Sequence, residues 1–235
     1  CDANGNNCNV GTWGNYDLSR INIWKRYYDT AQLKSANSYV ILEHFADNNE
    51  EKELSDYGMM LWGNMHGAYA EASKGFTANS DFSGVMHSVR TWTKPHLIGF
   101  MESHDEERIV YRNLNEGNSS GVYNVRDSAN SLKRMSLNAA FLLTIPGPKM
   151  IWQFGELGYN FSINTCTNGT VNNNCRLDPK PIRWDYLNDV RRKNIYDTYS
   201  KLLGLRSHAW YKELFLSGTV DRSLTGPVKW MKISS

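Results

Sequence analysis

The sequence predicts an α/β chain of parallel βα units, followed from residue 208 by the start of an all-β region. Three observations carry this expectation. Short apolar runs recur along the chain and each stops abruptly at polar groups, as strands buried on both faces of a parallel sheet do. Between them lie stretches with apolar residues at helical spacing, and alternating strand and helix argues for parallel βα units. After Ser207 the character changes: 211–217 and 228–233 alternate like antiparallel strands, joined by turn residues around Asp221 and Thr225-Gly226-Pro227.

From Asn15, Leu18, Ile21, Trp24, Tyr28 and Ala31 repeat at helical spacing, with Asn15 or Asp17 as cap and an end near 35–37. The first apolar run, Tyr39-Val40-Ile41-Leu42, stops at Glu43-His44. A second, Gly58 to Trp62, stops at Gly63-Asn64; a third, Leu97 to Met101, at Glu102-Ser103-His104-Asp105. The fourth, Lys149 to Trp152, stops at Gln153-Phe154-Gly155-Glu156. Helices are expected over 81–93, over 186–207 and over 128–144, where Leu132, Met135, Ala139, Leu142 and Leu143 share a face and Pro146-Gly147-Pro148 stops the helix. Asp47, Asn48, Asn49 and Glu50 lack the alternating spacing of a calcium loop and read as a solvated loop.

Composition narrows the partner. Lys and Arg number 26 against 24 Asp and Glu, a net charge of +2, so no strong field or basic block points to nucleic acid or an anionic membrane. No apolar run approaches the roughly 18 residues of a membrane helix. The chain carries 8 Trp, 13 Tyr, 8 Phe and 25 Asn. Flat aromatic faces and short amides suit a neutral, ring-shaped ligand such as a sugar, although aromatics also fill cores and Asn also fills turns. No GxGxxG or phosphate-binding loop follows a strand, which weighs against a nucleotide enzyme.

Neither pair of cysteines has CxxC spacing or a His cluster beside it, so zinc is not expected. Four cysteines allow three connectivities; proximity favours Cys1 with Cys8 and Cys166 with Cys175, each closing a short loop. Disulfides imply an oxidising compartment: secreted, cell surface or periplasmic.

In a parallel α/β barrel the working groups sit where the strands run out. Here those ends carry Glu43, then Glu102, His104 and Asp105, then Glu156. Two carboxylates flanking a glycosidic oxygen are what acetal hydrolysis needs, one of them a proton donor whose pKa burial can raise. Glu43, at the end of an apolar strand, is placed for that role. Glu102 faces away from Ser103 in a strand and reads as structural.

Phe100 to Arg108, FMESHDEER, resembles the His-Asp segment at the end of the seventh barrel strand in the α-amylase family of glycoside hydrolases. Leu42-Glu43-His44-Phe45 is similar to the end of the fifth strand, whose Glu is the general acid, and 151–158 resembles the eighth strand and its loop. The order and spacings agree across nearly the whole chain. The resemblance implies that 1–207 form the C-terminal half of a TIM (β/α)8 barrel, about strands five to eight, and that 208–235 begin an antiparallel β-sandwich domain. It implies Glu43 as acid/base, Asp105 as the carboxylate that holds sugar hydroxyls and stabilises the oxocarbenium-like transition state, and His104 as a hydrogen-bonding partner of the same ring. Arg108 would orient a site carboxylate. Phe45, Trp62, Phe154 and Tyr159 are candidate sugar platforms, Glu156 a candidate cleft residue, and Arg176 a candidate subsite residue.

The implied activity is retaining hydrolysis of α-1,4-glucans such as starch, with a bacterial polysaccharide-degrading setting; the alternative is an amylase-like protein that binds starch without cleaving it. The family's Asp nucleophile ends the fourth strand, upstream of the helix near Asn15. None of Asp2, Asp17 and Asp29 is expected at a strand end, so none substitutes for it. The chain also opens on Cys1 with no initiator Met. It is therefore expected to be a piece that is inactive alone. No cofactor is expected in it, calcium belonging to loops of the other half. The unpaired strands predict self-association or pairing with that half.

Overall fold

The computed structural model describes residues 10–235. In chain order the elements are α1 (Val10–Trp13), α2 (Leu18–Lys34), β1 (Ile41–Leu42), α3 (Asn48–Tyr57), β2 (Met60–Asn64), α4 (His66–Lys74), β3 (Leu97–Phe100), α5 (Ile109–Glu116), α6 (Ser128–Thr144), α7 (Val190–Ser207), α8 (Leu214–Ser217), β4 (Thr219–Ser223) and β5 (Trp230–Ser234), with short 3-10 turns between. β1, β2 and β3 are parallel neighbours in that order, with Ile41 beside Met60 and Leu61 beside Leu97. Lys149 adds a single parallel bridge to Gly99. The four apolar runs thus lie side by side in sequence order, the last reduced to one bridge because Pro146 and Pro148 leave its entrance without donors.

The helices form where capping and periodicity agree. Asp17 caps α2 by accepting from the Ser19 and Arg20 N–H groups. Asp127 caps α6 through Ala129 and Asn130, and Asp189 caps α7 through Arg191. α6 occupies the expected span. The helix expected over 186–207 is divided: 184–188 is a 3-10 turn and α7 begins at Val190.

One core lies among the outer helices α4, α5, α6 and α7, the segment at 82–86 and the terminal hairpin, centred on Tyr69, Met135, Leu142 and Leu143. A second packs α2 and α3 on the sheet through Ile21, Leu42, Leu54, Leu61 and Leu97. Gly99 is required in β3 because a Cβ there would overlap the Val85 side chain. Gly58 ends α3 at φ 136, a conformation that L side chains avoid. The other face of the sheet is less covered: Ile41 is 44% exposed, and Met60 and Trp62 are half-buried.

Four expectations are corrected. Residues 81–93 are no α-helix: Asp81 accepts from the Ser83 backbone and hydroxyl, a 3-10 turn covers Ser83–Val85, and Thr91 sits at φ 63. Residues 211–217 are turns and α8 rather than a strand. Asp221, expected in a turn, lies in β4, which pairs with β5 from Thr219–Ser234 to Ser223–Trp230. Asp47 to Glu50 are no solvated loop: Asp47 caps α3, and Glu50 is fully buried against Arg20 and His44. The hairpin is docked on the main core through Leu224, with Val220 and Met231 packed beside it. Cys166 and Cys175 form a disulfide; the expected Cys1 to Cys8 bridge lies outside the described residues.

Candidate functional site

Glu43 follows β1, and His104 and Asp105 lie in the turn after β3. Although β2 separates these strands, the carboxylate oxygens of Glu43 and Asp105 and a ring nitrogen of His104 all lie within 4.8 Å of one another. All three residues are exposed. His104 Nε2 is 3.4 Å from Asp105 Oδ2. The burial expected around Glu43 is not found; it stands at the open rim of the sheet.

The turn holding Asp105 is built by its neighbours. The Asp105 N–H donates to Ser103 Oγ at 3.0 Å, and Ser103 in turn donates to Glu106, which also accepts from the Asn64 amide at the end of β2. Arg176 Nη2 donates to both the carbonyl oxygen of Asp105, at 2.8 Å, and its Oδ1, at 2.9 Å. Arg176 comes from the loop closed by Cys166–Cys175, directly after the second half-cystine. Glu107 ties that loop to the strand end by accepting from Ser162 Oγ at 2.6 Å and the Ile163 N–H at 2.8 Å. Lys180 adds bonds to the carbonyls of Thr165 and Cys175.

Ser103, His104, Asp105, Glu106, Arg176 and Lys180 border a cleft of about 310 Å³ whose lining also includes Trp152, Gln153, Tyr159 and Asp178 but not Glu43, which stands beside it. Trp152 was missed by sequence reasoning. Its ring lies 5.9 Å from that of His104, tilted by 55°, and it is half-buried at the cleft wall. The available signal was its place as the last residue of the fourth apolar run. Ser103, Glu106 and Glu107 were missed as well, because their work is done on the backbone and on neighbouring carboxylates.

Most other expected residues fall elsewhere. Phe45 is 46% exposed at φ 48, immediately beyond the Glu43 strand end. Trp62 lies on the open sheet face, edge to face with Phe100 at 5.7 Å. Phe154 is corrected: at 4% exposure it packs inside an aromatic cluster with Tyr159 and Tyr186 and offers no ring face to a sugar. Tyr159 lines the cleft, though it is 4% exposed with its hydroxyl donated to the Pro181 carbonyl. Glu156 does not line this cleft. It lines an adjoining space of about 530 Å³, beside Trp184 and Tyr199, that shares Trp152 and Gln153 with the cleft, and burial raises its pKa there. Arg108 orients Glu102 rather than a cleft carboxylate: its Nη2 is 3.6 Å from Glu102 Oε2, with the guanidinium over the Tyr159 ring. Glu102 is structural as expected, accepting the Ile109 N–H at 2.8 Å while 3% exposed.

Two carboxylates and an imidazole within 4.8 Å of one another, beside an aromatic wall, can hydrogen-bond a neutral hydroxylated ring and move a proton at an oxygen near them. No protein-family model matches the sequence, and no curated protein matches it significantly. Solved structures do match. The α-amylase from H.orenii aligns with a TM-score of 0.59 at 14% identity, covering 92% of this chain and 45% of its own. A cyclic α-maltosyl-(1→6)-maltose hydrolase from Arthrobacter globiformis aligns at 0.54 and 15% identity, over 89% of this chain and 42% of that one. The maltogenic amylase from S.marinus gives 0.54 at 18% identity, over 89% of this chain and 27% of its own. The chain thus shares a fold with α-amylase-type enzymes while spanning less than half the length of each of these.

Proposed function

We propose, taking that shared fold as the premise, that this chain carries the acid/base and the transition-state-stabilising carboxylate of an α-glucan-cleaving site. The observation that supports it best is the convergence of Glu43 and Asp105, from two different strand ends, on His104 within 4.8 Å. In this reading Glu43 donates the proton to the glycosidic oxygen. Asp105 accepts hydrogen bonds from ring hydroxyls and offsets the positive charge that develops as the bond breaks. His104 hydrogen-bonds the same ring, Arg176 fixes the Asp105 rotamer, Trp152 provides a wall, and Phe45 and Trp62 contribute aromatic surface at the rim.

The substrate proposed is an α-1,4-glucan. Calorimetric titration with maltoheptaose and with xylohexaose tests this class: the account expects binding of the α-glucan only, and equal binding of both would overturn it. A retaining mechanism also needs a carboxylate nucleophile, and among the described residues no third carboxylate joins Glu43 and Asp105 in their cluster. We therefore expect the 235-residue chain alone to release no reducing ends from soluble starch above a Glu43→Gln control.

A second reading, glucan binding without cleavage, is favoured by the same two-carboxylate cluster, since binding needs no nucleophile. Chemical rescue separates the two. With an activated α-maltosyl fluoride and azide, formation of the glycosyl azide, with fluoride released as the carbon–nitrogen bond forms, supports the catalytic reading. Absence of that product supports binding. An oxidising compartment, secreted or periplasmic, is proposed from the Cys166–Cys175 bridge. Among the described residues no helix is long and apolar enough to cross a membrane.

A further inference from the structure

Glu43 is exposed, and among the described residues no side chain hydrogen-bonds its carboxylate. Its direction is therefore set by the backbone on either side. On the strand side Leu42 is buried and pairs with Leu61 of β2. On the other side the chain turns through 44–47 into α3. Within that turn Phe45 sits in the left-handed region at φ 48. This conformation costs free energy for a residue with a Cβ, and it persists only where the surroundings over-determine it. Phe45 lacks the short polar side chain that lets Asn or Asp adopt it. Its ring is 46% exposed, so burial of the ring does not hold it either.

What holds it comes from α3. His44, 6% exposed, bonds Glu50 Oε1 through Nε2 at 2.6 Å. Glu50 is itself fixed by the Arg20 guanidinium at 2.6 and 2.8 Å and by the Asp17 N–H at 2.8 Å. On the far side of Phe45 the Ala46 N–H donates to Glu51 Oε1 at 3.2 Å, while Glu51 Oε2 takes Arg90 at 3.0 Å. Glu50 and Glu51 are both buried. Burying two adjacent carboxylates is costly, and apolar side chains of similar volume commonly stabilise such positions as well or better. The shared consequence of the pair is local: both neighbours of Phe45 are clamped, and the residue between them is left no relaxed conformation.

We propose that Glu50 and Glu51 are positioning residues for Glu43. Acting through His44 and the Ala46 N–H, they hold Phe45 left-handed, and the strained turn aims the Glu43 carboxylate at His104 and Asp105, within 4.8 Å. The inference rests on the reading of Glu43 as the acid/base that contacts the sugar.

Calorimetric titration with maltoheptaose, paired with thermal melting, tests it on Phe45→Ala and Phe45→Gly, each alone and combined with Glu43→Ala. Both substitutions remove the ring, and only Phe45→Gly removes the strain. Phe45→Gly is expected to melt higher than Phe45→Ala yet to bind about fivefold more weakly, and this difference in affinity should vanish in the Glu43→Ala background. A role confined to stability would move melting and affinity together. His44→Gln, which keeps an N–H for Glu50, should bind more tightly than His44→Leu, again only while Glu43 is present. Equal affinities for Phe45→Ala and Phe45→Gly, or a difference undiminished by Glu43→Ala, would overturn the proposal and leave the assignment of Glu43 standing. So would Phe45→Gly melting no higher than Phe45→Ala, or His44→Gln binding no better than His44→Leu. If Glu43→Ala by itself binds maltoheptaose as wild type does, the assignment of Glu43 fails and the positioning role falls with it.

Discussion

Arg176 grips Asp105 at two points, its main-chain oxygen and its carboxylate, at 2.8 and 2.9 Å. An arginine immediately after a half-cystine thereby sets the rotamer of the carboxylate proposed to meet the sugar. The cleft depends on a loop whose shape is fixed covalently by Cys166–Cys175 and by the Glu107 hydrogen bonds to Ser162 and Ile163.

Opening that disulfide should loosen the loop and free Arg176. The double variant Cys166→Ser, Cys175→Ser is expected to lose roughly 2–3 kcal/mol of stability, the closure entropy of a short loop, read as a lower urea midpoint. The same variant should be cleaved faster by protease within 163–178. Unchanged cleavage there would show that the disulfide does not hold the loop.

Glu50 should make the fold acid-sensitive. It is fully buried; burial pushes its pKa up, but hydrogen bonds from His44, from Arg20 and from the Asp17 N–H outweigh this and hold it below the ordinary 4.5. A depressed carboxylate pKa contributes stability that is present above the unfolded-state value and is lost as pH falls through the folded one. Wild type should therefore lose stability as pH drops below 4.5. Glu50→Gln should be less stable by roughly 3 kcal/mol at neutral pH, because Arg20 loses its buried partner. It should also show a flatter acid limb. Chemical denaturation across pH reads both.

Gly99→Ala should be costly despite its small size. The added methyl would run into Val85 on the helix-facing side of β3, and overpacking a filled core costs roughly 1–3 kcal/mol. A calorimetric melting temperature equal to that of wild type would show that Val85 can move aside.

The less covered face of the sheet, with Ile41, Met60 and Trp62 on it, should drive association. Light scattering is expected to give a mass that rises with protein concentration, and Ile41→Lys to suppress the rise. A monomer across the concentration range would contradict this.

Much of the frame was legible in the sequence because its strands are short, apolar and abruptly ended. The parallel order of the runs near Leu42, Leu61, Leu97 and Lys149 follows from that pattern, as does α6 from its apolar face and its Pro-Gly-Pro stop. Glu43, His104 and Asp105 were legible as strand-end polar groups, and the structure brings them together. What stayed hidden has physical causes. α3 was missed because two of its inward positions are Glu50 and Glu51, carboxylates buried by partners far along the chain, Arg20 and Arg90. The helix expected over 81–93 has the right periodicity but is broken by the side-chain bonds of Asp81 and the left-handed Thr91. Phe154 and Tyr159 looked like platforms since exposure of an aromatic is not written in its neighbours; they became each other's packing partners at 5.8 Å. Arg176 was placed in a rim loop, yet only the fold shows that it reaches Asp105.

The most direct test of the central claim is the affinity of the chain for maltoheptaose, measured by calorimetry for wild type, Asp105→Asn and His104→Ala. If Glu43, His104 and Asp105 form the sugar-holding cluster, each substitution removes a hydrogen bond to the ring and the affinity falls about tenfold or more. An isotherm that is the same for all three proteins would contradict the claim.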